Sequence, residues 1–253
     1  MRTAPELRTA AILTAAGSGA RLGHALPKAL VPVAGDPIVL HAARRLCAAR
    51  FDDRPIESLV VSAPADHVEG FVRLLESLPV PVTVVAGGPS RQASVAAALA
   101  AVPDDVDVVL VHDAARPFAP PALIERVVAA VAAGHEAVVP GLAVTDTIKR
   151  VGPTDDAGPA EGWPVLGTVD RATLRAVQTP QGFTRGLLAR AHAAAADDAA
   201  DESLAASDDA GLVERLGLPV WVVPGDDDAA KITTRRDLAI AELTVDPSFP
   251  TER

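Results

Sequence analysis

The chain reads as an α/β protein: an open, mostly parallel twisted sheet flanked by helices, with a projecting β-arm. Three observations predict it. Short apolar runs alternate with longer Ala-rich amphipathic stretches through the first 140 residues, the rhythm of repeated β-α units. A glycine-rich turn directly follows the first apolar run. After Pro140 the rhythm breaks into two apolar segments separated by Gly, Pro and Asp, as expected of an arm outside the core.

In chain order, strands are expected at 11–15, 58–62, 82–85, 106–111 and 137–139. The helices between them carry start signals: Asp36 with Pro37, Pro64 with Asp66 in the first turn, Ser90 before an Ala-rich run, and Pro120-Pro121 ahead of Leu123. These additions make the sheet Rossmann-like. The arm spans about 143–172, with strands at 144–151 and 165–169 and a tip at 152–164. Apolar residues on such an arm need a cover, which predicts a homodimer contact. Helices at 184–196 and 209–216, a strand at 220–223 and a closing helix at 234–243 complete a single domain. The acidic stretch 197–209 reads as a solvated loop, and residues 1–8 and 246–253 as loose ends.

Composition removes several classes of function. With 253 residues, 49% of them hydrophobic, the chain can bury a sizeable core. Its net charge of −10 argues against nucleic acid or an anionic membrane as partner, so a polyanion must be held at a local basic site. Cys47 is the single cysteine, which excludes an intrachain disulfide and fits a reducing cytoplasm. The apolar patch at 10–16 runs straight into glycines and suits a first strand, not a secretory signal. No apolar window approaches a membrane span. Of 23 basic residues only Lys28, Lys149 and Lys231 are Lys, against 20 Arg. A Lys that persists against such a bias either marks a place needing a compact ammonium or is a leftover surface residue.

The turn after the first strand, Ala15-Ala16-Gly17-Ser18-Gly19-Ala20-Arg21-Leu22-Gly23, ends in Pro27-Lys28. Glycines allow the backbone to turn tightly and aim N–H groups at a phosphate, while Arg21 and Lys28 supply charge. It is not a dinucleotide fingerprint, because Gly17, Gly19 and Gly23 miss the spacing by one and Ser62 offers no carboxylate on the next strand. Nor is it a Walker A loop, which needs Gly-Lys-Ser/Thr. A second constellation, His112-Asp113-Ala114-Ala115-Arg116-Pro117, stands at the carboxyl end of the strand predicted at 106–111, where ligands of open parallel sheets bind. Asp113 suits a ribose hydroxyl or a metal; the alternative for Asp113 and Arg116 is an ion pair capping the next helix. The remaining histidines lack ligand spacing, and His112 is placed to orient Asp113.

The phosphate loop resembles that of nucleotidyltransferases joining a nucleoside monophosphate to a phosphorylated sugar or alcohol. Further segments follow in order: Gly87-Gly88 with Arg91 and Ser94, Asp146-Thr147-Ile148-Lys149, Val169-Asp170-Arg171, Gln178-Thr179-Pro180-Gln181, Ser207-Asp208-Asp209 and Lys231-Ile232-Thr233. With these, the chain from residue 10 to about 243 resembles the 2-C-methyl-D-erythritol 4-phosphate cytidylyltransferase family of the non-mevalonate isoprenoid route. The resemblance implies that Ala15, Ala16, Gly17 and Gly19 hold CTP by their backbone, that Gly87, Gly88 and Ser94 surround the cytosine, and that Asp113 meets the ribose. It places Arg21, Lys28 and Lys231 at the reacting phosphates, and Thr147 and Arg171 on the arm, reaching the sugar-alcohol phosphate in a neighbouring subunit's site, with Arg116 also on the substrate. It implies Mg²⁺, with Asp113 and Asp228 as candidate ligands, and a cytoplasmic homodimer without nucleic-acid or membrane partners. The family's Asp-Asn-x-Lys is here Asp228-Ala229-Ala230-Lys231, so an amide contact is lost. A ribitol 5-phosphate cytidylyltransferase would carry the same loop, and a catalytically silent nucleotide-binding module is the alternative from another class.

Overall fold

The structure, a computed structural model, describes residues 7–17, 26–153, 162–201 and 203–245. Among them the first half alternates strand and helix: β1 (Thr9–Thr14), the two-residue strands β2 (Pro32–Val33) and β3 (Asp36–Pro37), α1 (Ile38–Ala48), β4 (Ser58–Ala63), α2 (Val68–Leu75), β5 (Val82–Ala86), α3 (Arg91–Leu99), β6 (Val108–Asp113) and α4 (Pro121–Ala132). The second half contains β7 (Ala137–Ala143), β8 (Ile148–Val151), β9 (Val165–Val169), β10 (Arg175–Val177), β11 (Gln181–Thr184), α5 (Arg185–Ala194), α6 (Asp209–Arg215), β12 (Trp221–Pro224) and α7 (Arg235–Val245).

The main sheet runs β10-β7-β11-β6-β1-β4-β5, with β12 also paired to β7. The pairs β1–β4, β1–β6, β4–β5 and β12–β7 are parallel; β11 and β10 lie antiparallel to their neighbours. This is the mostly parallel α/β sheet expected. Because the chain leaves β1 towards β4 and later returns on β1's other side as β6, a switch point falls between β1 and β6, where a crevice opens beyond their carboxyl ends.

Both faces of the central strands β1, β4 and β6 are buried, so these strands are mostly apolar rather than alternating. Ala11 and Leu13 of β1, Leu59 and Val61 of β4, and Val108 and Leu110 of β6 point into a cluster completed by α1, α2 and α4. Ala10, Ile12, Val60, Val109 and Val111 face the other way, against Val95 of α3, Leu188 of α5 and Val213 of α6. A third cluster joins Val31, Val33 and Ile38 to Phe118, Ile232 and Ala241, seating α7 beside the segment that follows Lys28.

Several boundaries differ from expectation. β6 runs two residues further than predicted, to Asp113, because its last residues still pair with Leu13 and Thr14. The segment 144–151 is not one strand: β7 continues to Ala143 and β8 begins at Ile148, so 144–147 is the connection into the arm. β10 and β11 were not anticipated, since they are short and bear polar residues that only antiparallel pairing with β7 and β6 accounts for. Thr184 closes β11 instead of opening the helix. Leu7 and Arg8, expected in a loose end, are anchored: Leu7 packs on the core, and Arg8 donates from its amide to Asp107 at 2.9 Å and from Nε to Glu57 at 2.6 Å. The acidic loop is also not wholly solvated, because Asp208 caps α6 by accepting from the Gly211 amide and Asp209 is buried. Residues 154–161 of the arm tip, and the ends 1–6 and 246–253, lie outside the described residues.

Candidate nucleotide and phosphate site

The crevice at the carboxyl ends of β1 and β6 gathers the residues nominated above. The chain leaves β1 with its register held by the Ala15 amide, which donates to Ser62 C=O at 2.9 Å, so Ala15, Ala16 and Gly17 are delivered to the rim. Opposite them, the turn after β5 is built for close approach: a Cβ on Gly87 would come within 2.3 Å of the Ala16 Cβ, and one on Gly88 within 2.5 Å of the Ala93 Cβ. No other residue fits there. Ser94, on the first turn of α3, accepts from the Gly88 amide at 3.1 Å and donates to Ser90 C=O at 2.8 Å, while Ser90 caps the helix by accepting from the Ala93 amide. Ala15, Ala16, Gly17, Gly87, Gly88 and Ser94 thus share one rim, as the sequence suggested. Gly19 and Arg21 lie outside the described residues.

Asp113 ends β6 at the centre of the crevice, buried. Its Oδ1 faces Arg91 Nε at 3.2 Å and its Oδ2 accepts from Lys231 Nζ at 2.7 Å. These two cations outweigh the cost of burial and hold the Asp113 carboxyl far below the usual carboxylate range. Arg116 does not pair with it. Instead its guanidinium donates to Ala229 C=O at 2.7 Å and Val177 C=O at 3.2 Å, which corrects the idea of a helix-capping Asp113–Arg116 pair.

His112 is fully buried and neutral, its pKa pushed down to about 4 by burial. Its bonds specify one tautomer. Nε2–H donates to Arg116 C=O at 3.1 Å; Nδ1 accepts from the Thr179 hydroxyl at 3.0 Å, and that hydroxyl oxygen accepts the Asp113 amide at 3.0 Å. His112 therefore positions the Asp113 backbone, in keeping with its expected orienting part.

Lys231 is brought in from far along the chain by a docked loop. The Gln178 side chain donates to Asp226 C=O at 2.8 Å and accepts the Asp226 amide at 2.9 Å. Arg116 holds Ala229, and the Ile232 amide donates to Ala115 C=O at 2.8 Å. Gln178 and Thr179 were read only as parts of a motif; their structural work was missed because it depends on loops distant in sequence. Lys28 opens a 3-10 turn after Pro27, and the cluster of Val31, Val33 and Ile232 places the segment following it against the Lys231 loop.

Behind Asp113 lies a buried extension the sequence did not reveal. Arg91 Nη1 meets Asp209 Oδ2 at 2.8 Å, and Asp209 Oδ1 meets His192 Nε2 at 2.9 Å. The one available signal was a carboxylate at the start of an apolar helix, in α6.

Thr147 and Arg171 remain on the arm, both exposed, with Arg171 donating to Thr145 C=O. The bonds that gather Asp113 do not include them. Both Asp113 oxygens already face cations, and among the described residues no three His, Cys, Asp or Glu side chains come together to hold a metal. No helix among them is long and apolar enough to cross a membrane.

Residues 9–246 match the family described as IspD: 2-C-methyl-D-erythritol 4-phosphate cytidylyltransferase. The chain belongs to this family. It is 52% identical over 236 residues to the 2-C-methyl-D-erythritol 4-phosphate cytidylyltransferase of Nocardia farcinica, covering 93% of each, and 46% identical over 242 residues to that of Streptomyces coelicolor, covering 94% of this chain and 85% of the relative. The crystal structure of 2-C-methyl-D-erythritol 4-phosphate cytidylyltransferase from Thermus thermophilus superposes with a TM-score of 0.68 at 35% identity, covering 92% of this chain and 97% of that one. The Rossmann-like expectation and the recognised resemblance both hold.

The buried neutral His112 has a measurable consequence for this family member. Its folded pKa of about 4 lies below the unfolded value of about 6.5, so between these values the unfolded state binds more protons and stability falls as pH falls. The difference of roughly 2.5 units corresponds to about 3 kcal/mol at most, lost between about pH 6.5 and pH 4. Below about pH 4 the depressed carboxylates of Asp113 and Asp209 add their own loss. Urea unfolding from pH 7 to 4 should show this decline, and His112→Gln should flatten it; an unchanged slope in the variant would contradict the assignment.

Proposed function

We propose that the chain transfers CMP from CTP to 2-C-methyl-D-erythritol 4-phosphate, releasing pyrophosphate and giving 4-diphosphocytidyl-2-C-methyl-D-erythritol, a step of isoprenoid precursor synthesis. The observations that carry the reading are the close approach of Ala16 to the Gly87-Gly88 turn and the Asp113–Lys231 pair, both beyond the carboxyl ends of β1 and β6.

In this reading a phosphate oxygen of the sugar alcohol attacks the α-phosphorus of CTP. A new P–O bond forms while the bond to the departing pyrophosphate breaks in line with it. The attacking oxygen is already anionic, so no strong general base is needed, and the work left to the protein is positioning and charge neutralisation. The backbone of Ala16, Gly17 and Gly19 supplies N–H donors to the triphosphate, while Ala15, its own amide held by Ser62 C=O, anchors the start of that turn. Gly87, Gly88 and Ser94 line the cytosine, on a turn that the missing Cβ atoms allow to pack tightly against Ala16 and Ala93. Asp113, locked as an anion, accepts from a ribose hydroxyl. Arg21 and Lys28 take up charge at the α-phosphate and pyrophosphate, and Lys231 holds the attacking phosphate. Mg²⁺ bound with the triphosphate would offset repulsion between the two anionic reactants, with Asp113 and Asp228 as the candidate protein ligands.

The arm completes the reading. Val165 and Leu166 expose 61% and 64% of their surface on a hairpin whose four β8 residues are all exposed. Apolar side chains so placed suit burial against a second copy, which would bring Thr147 and Arg171 to the partner's substrate phosphate. The reading fits a cytoplasmic enzyme.

With CTP and Mg²⁺, pyrophosphate should be released on adding 2-C-methyl-D-erythritol 4-phosphate and not ribitol 5-phosphate; the reverse preference would favour the alternative alditol. Lys28→Ala should lower kcat by about 10²-fold or more with an unchanged circular-dichroism spectrum. Near-normal pyrophosphate release by the folded variant would remove Lys28 from the reaction. Sedimentation should find a dimer that Leu166→Glu dissociates; a monomeric parent protein, or a variant as dimeric as the parent, would count against the arm.

A further inference from the structure

One row of charges passes from the mouth of the crevice into the core. Lys231, with 42% of its side chain exposed, meets Asp113; Asp113 meets Arg91; Arg91 meets Asp209, only 1% exposed; and Asp209 meets His192. The members come from the α7 approach, β6, α3, α6 and α5, so only the finished fold lines them up. Lys231 and Asp113 are assigned to substrate in the reading above. Arg91 and Asp209 are not.

The arrangement poses a physical problem for Lys231. Its ammonium sits on Asp113 at 2.7 Å. To meet a phosphate it must leave a buried carboxylate, and a carboxylate stripped of its only cation inside a protein is costly. Arg91 removes that obstacle. Its Nε faces the other oxygen of Asp113 and stays there whether or not Lys231 does, so Asp113 is never left alone and its pull on Lys231 is shared. Arg91 can do this because Asp209 fixes its other nitrogen. The planar guanidinium spans two carboxylates on different elements with two separate nitrogens, which a Lys ammonium, a single point of charge, cannot reproduce. Asp209 in turn is fixed by His192 Nε2 on α5 and by its place at the first turn of α6.

We propose that Arg91, seated on Asp209, is a positioning residue: by sharing the charge of Asp113 it frees Lys231 to move from Asp113 to the reacting phosphate. The inference rests on the reading that Lys231 serves the substrate phosphate. It adds a buried pair, Arg91–Asp209, without which Lys231 stays parked. The other charged groups facing Asp113 are Lys231 itself and the more distant Arg116, whose Nη1 and Nη2 donate to the carbonyls of Ala229 and Val177. Arg116 therefore does not replace Arg91.

The test is a cycle on full-length enzyme. Arg91→Lys should lower kcat about tenfold or more, since it keeps the charge and loses the fork. Arg91→Gln combined with Asp209→Asn, which removes both buried charges together and so avoids stranding one, should do the same. In a Lys231→Ala background either change should cost about twofold or less in kcat, because there is no ammonium left to release. Equal losses in both backgrounds would overturn the proposal, as would near-normal kcat in the folded Arg91→Lys enzyme. A second readout does not depend on turnover. With only three lysines in the chain, acetylation of Lys231 relative to Lys149 can be followed by peptide mass spectrometry. In the Arg91→Gln, Asp209→Asn protein the labelling of Lys231 relative to Lys149 should slow about threefold, as Asp113 then holds Lys231 alone. An unchanged ratio would refute the charge-sharing argument even if 2-C-methyl-D-erythritol 4-phosphate proved not to be the substrate; failure of the wild-type enzyme on that substrate with a slowed ratio would instead indict the substrate assignment.

Discussion

The carboxylate of Asp113 is the constraint around which the site is arranged. It sits at the end of the central strand β6, out of water, and a buried anion persists only if cations reach it. Arg91 arrives from the start of α3 and Lys231 from the loop before α7, so two segments 140 residues apart are drawn to one point. The same position is secured through its backbone, whose amide is held by Thr179 and, through that hydroxyl, by the buried His112. Side chain and main chain of one residue are thus fixed by different partners. That leaves the carboxylate a single orientation, as recognition of a ribose hydroxyl demands.

Much of the remaining architecture serves to deliver these partners. Gln178 and Arg116 have no charge partner at the crevice; they dock the Asp226–Ala229 loop by its backbone carbonyls and amides, and the loop in turn carries Lys231. The two-sided burial of β1, β4 and β6 keeps the carboxyl ends of the strands level, so that the turn after β1 and the Gly87-Gly88 turn face each other across a distance set by close packing. Replacing either glycine would push Ala16 or Ala93 aside. The acidic overall charge is compatible with binding two anionic reactants because the field within a crevice is set by its few nearest groups.

Legibility differed from residue to residue for identifiable reasons. Ala15 to Gly17 and Asp113 were readable because each lies within a local pattern, a strand followed by a turn with glycines or a carboxylate. Gly87, Gly88 and Ser94 were named through the family resemblance. Arg91 and Asp209 stood in segments that carry the resemblance, but their pairing was not legible, since an Arg in a chain with 20 of them carries little information and an Asp in an acidic stretch looks solvated. Asp209 became buried only because α6 packs its apolar face on α5 and turns that residue inward. The alternative reading of Asp113 and Arg116 as an ion pair could be settled only in three dimensions, where the Arg116 guanidinium satisfies the carbonyls of Ala229 and Val177 instead.

By itself the sequence determined the fold class, the first strand that leads into the glycine-rich segment and the family to which the chain belongs, because apolar periodicity, helix starts and ordered motifs are local properties. Only tertiary structure decided which cations Asp113 meets, how Lys231 is held and that a second carboxylate stands behind Arg91. Those depend on distances between segments far apart in the chain. Such distances follow from how apolar faces pack and from the need to pair every buried charge, and no stretch of residues read alone contains them.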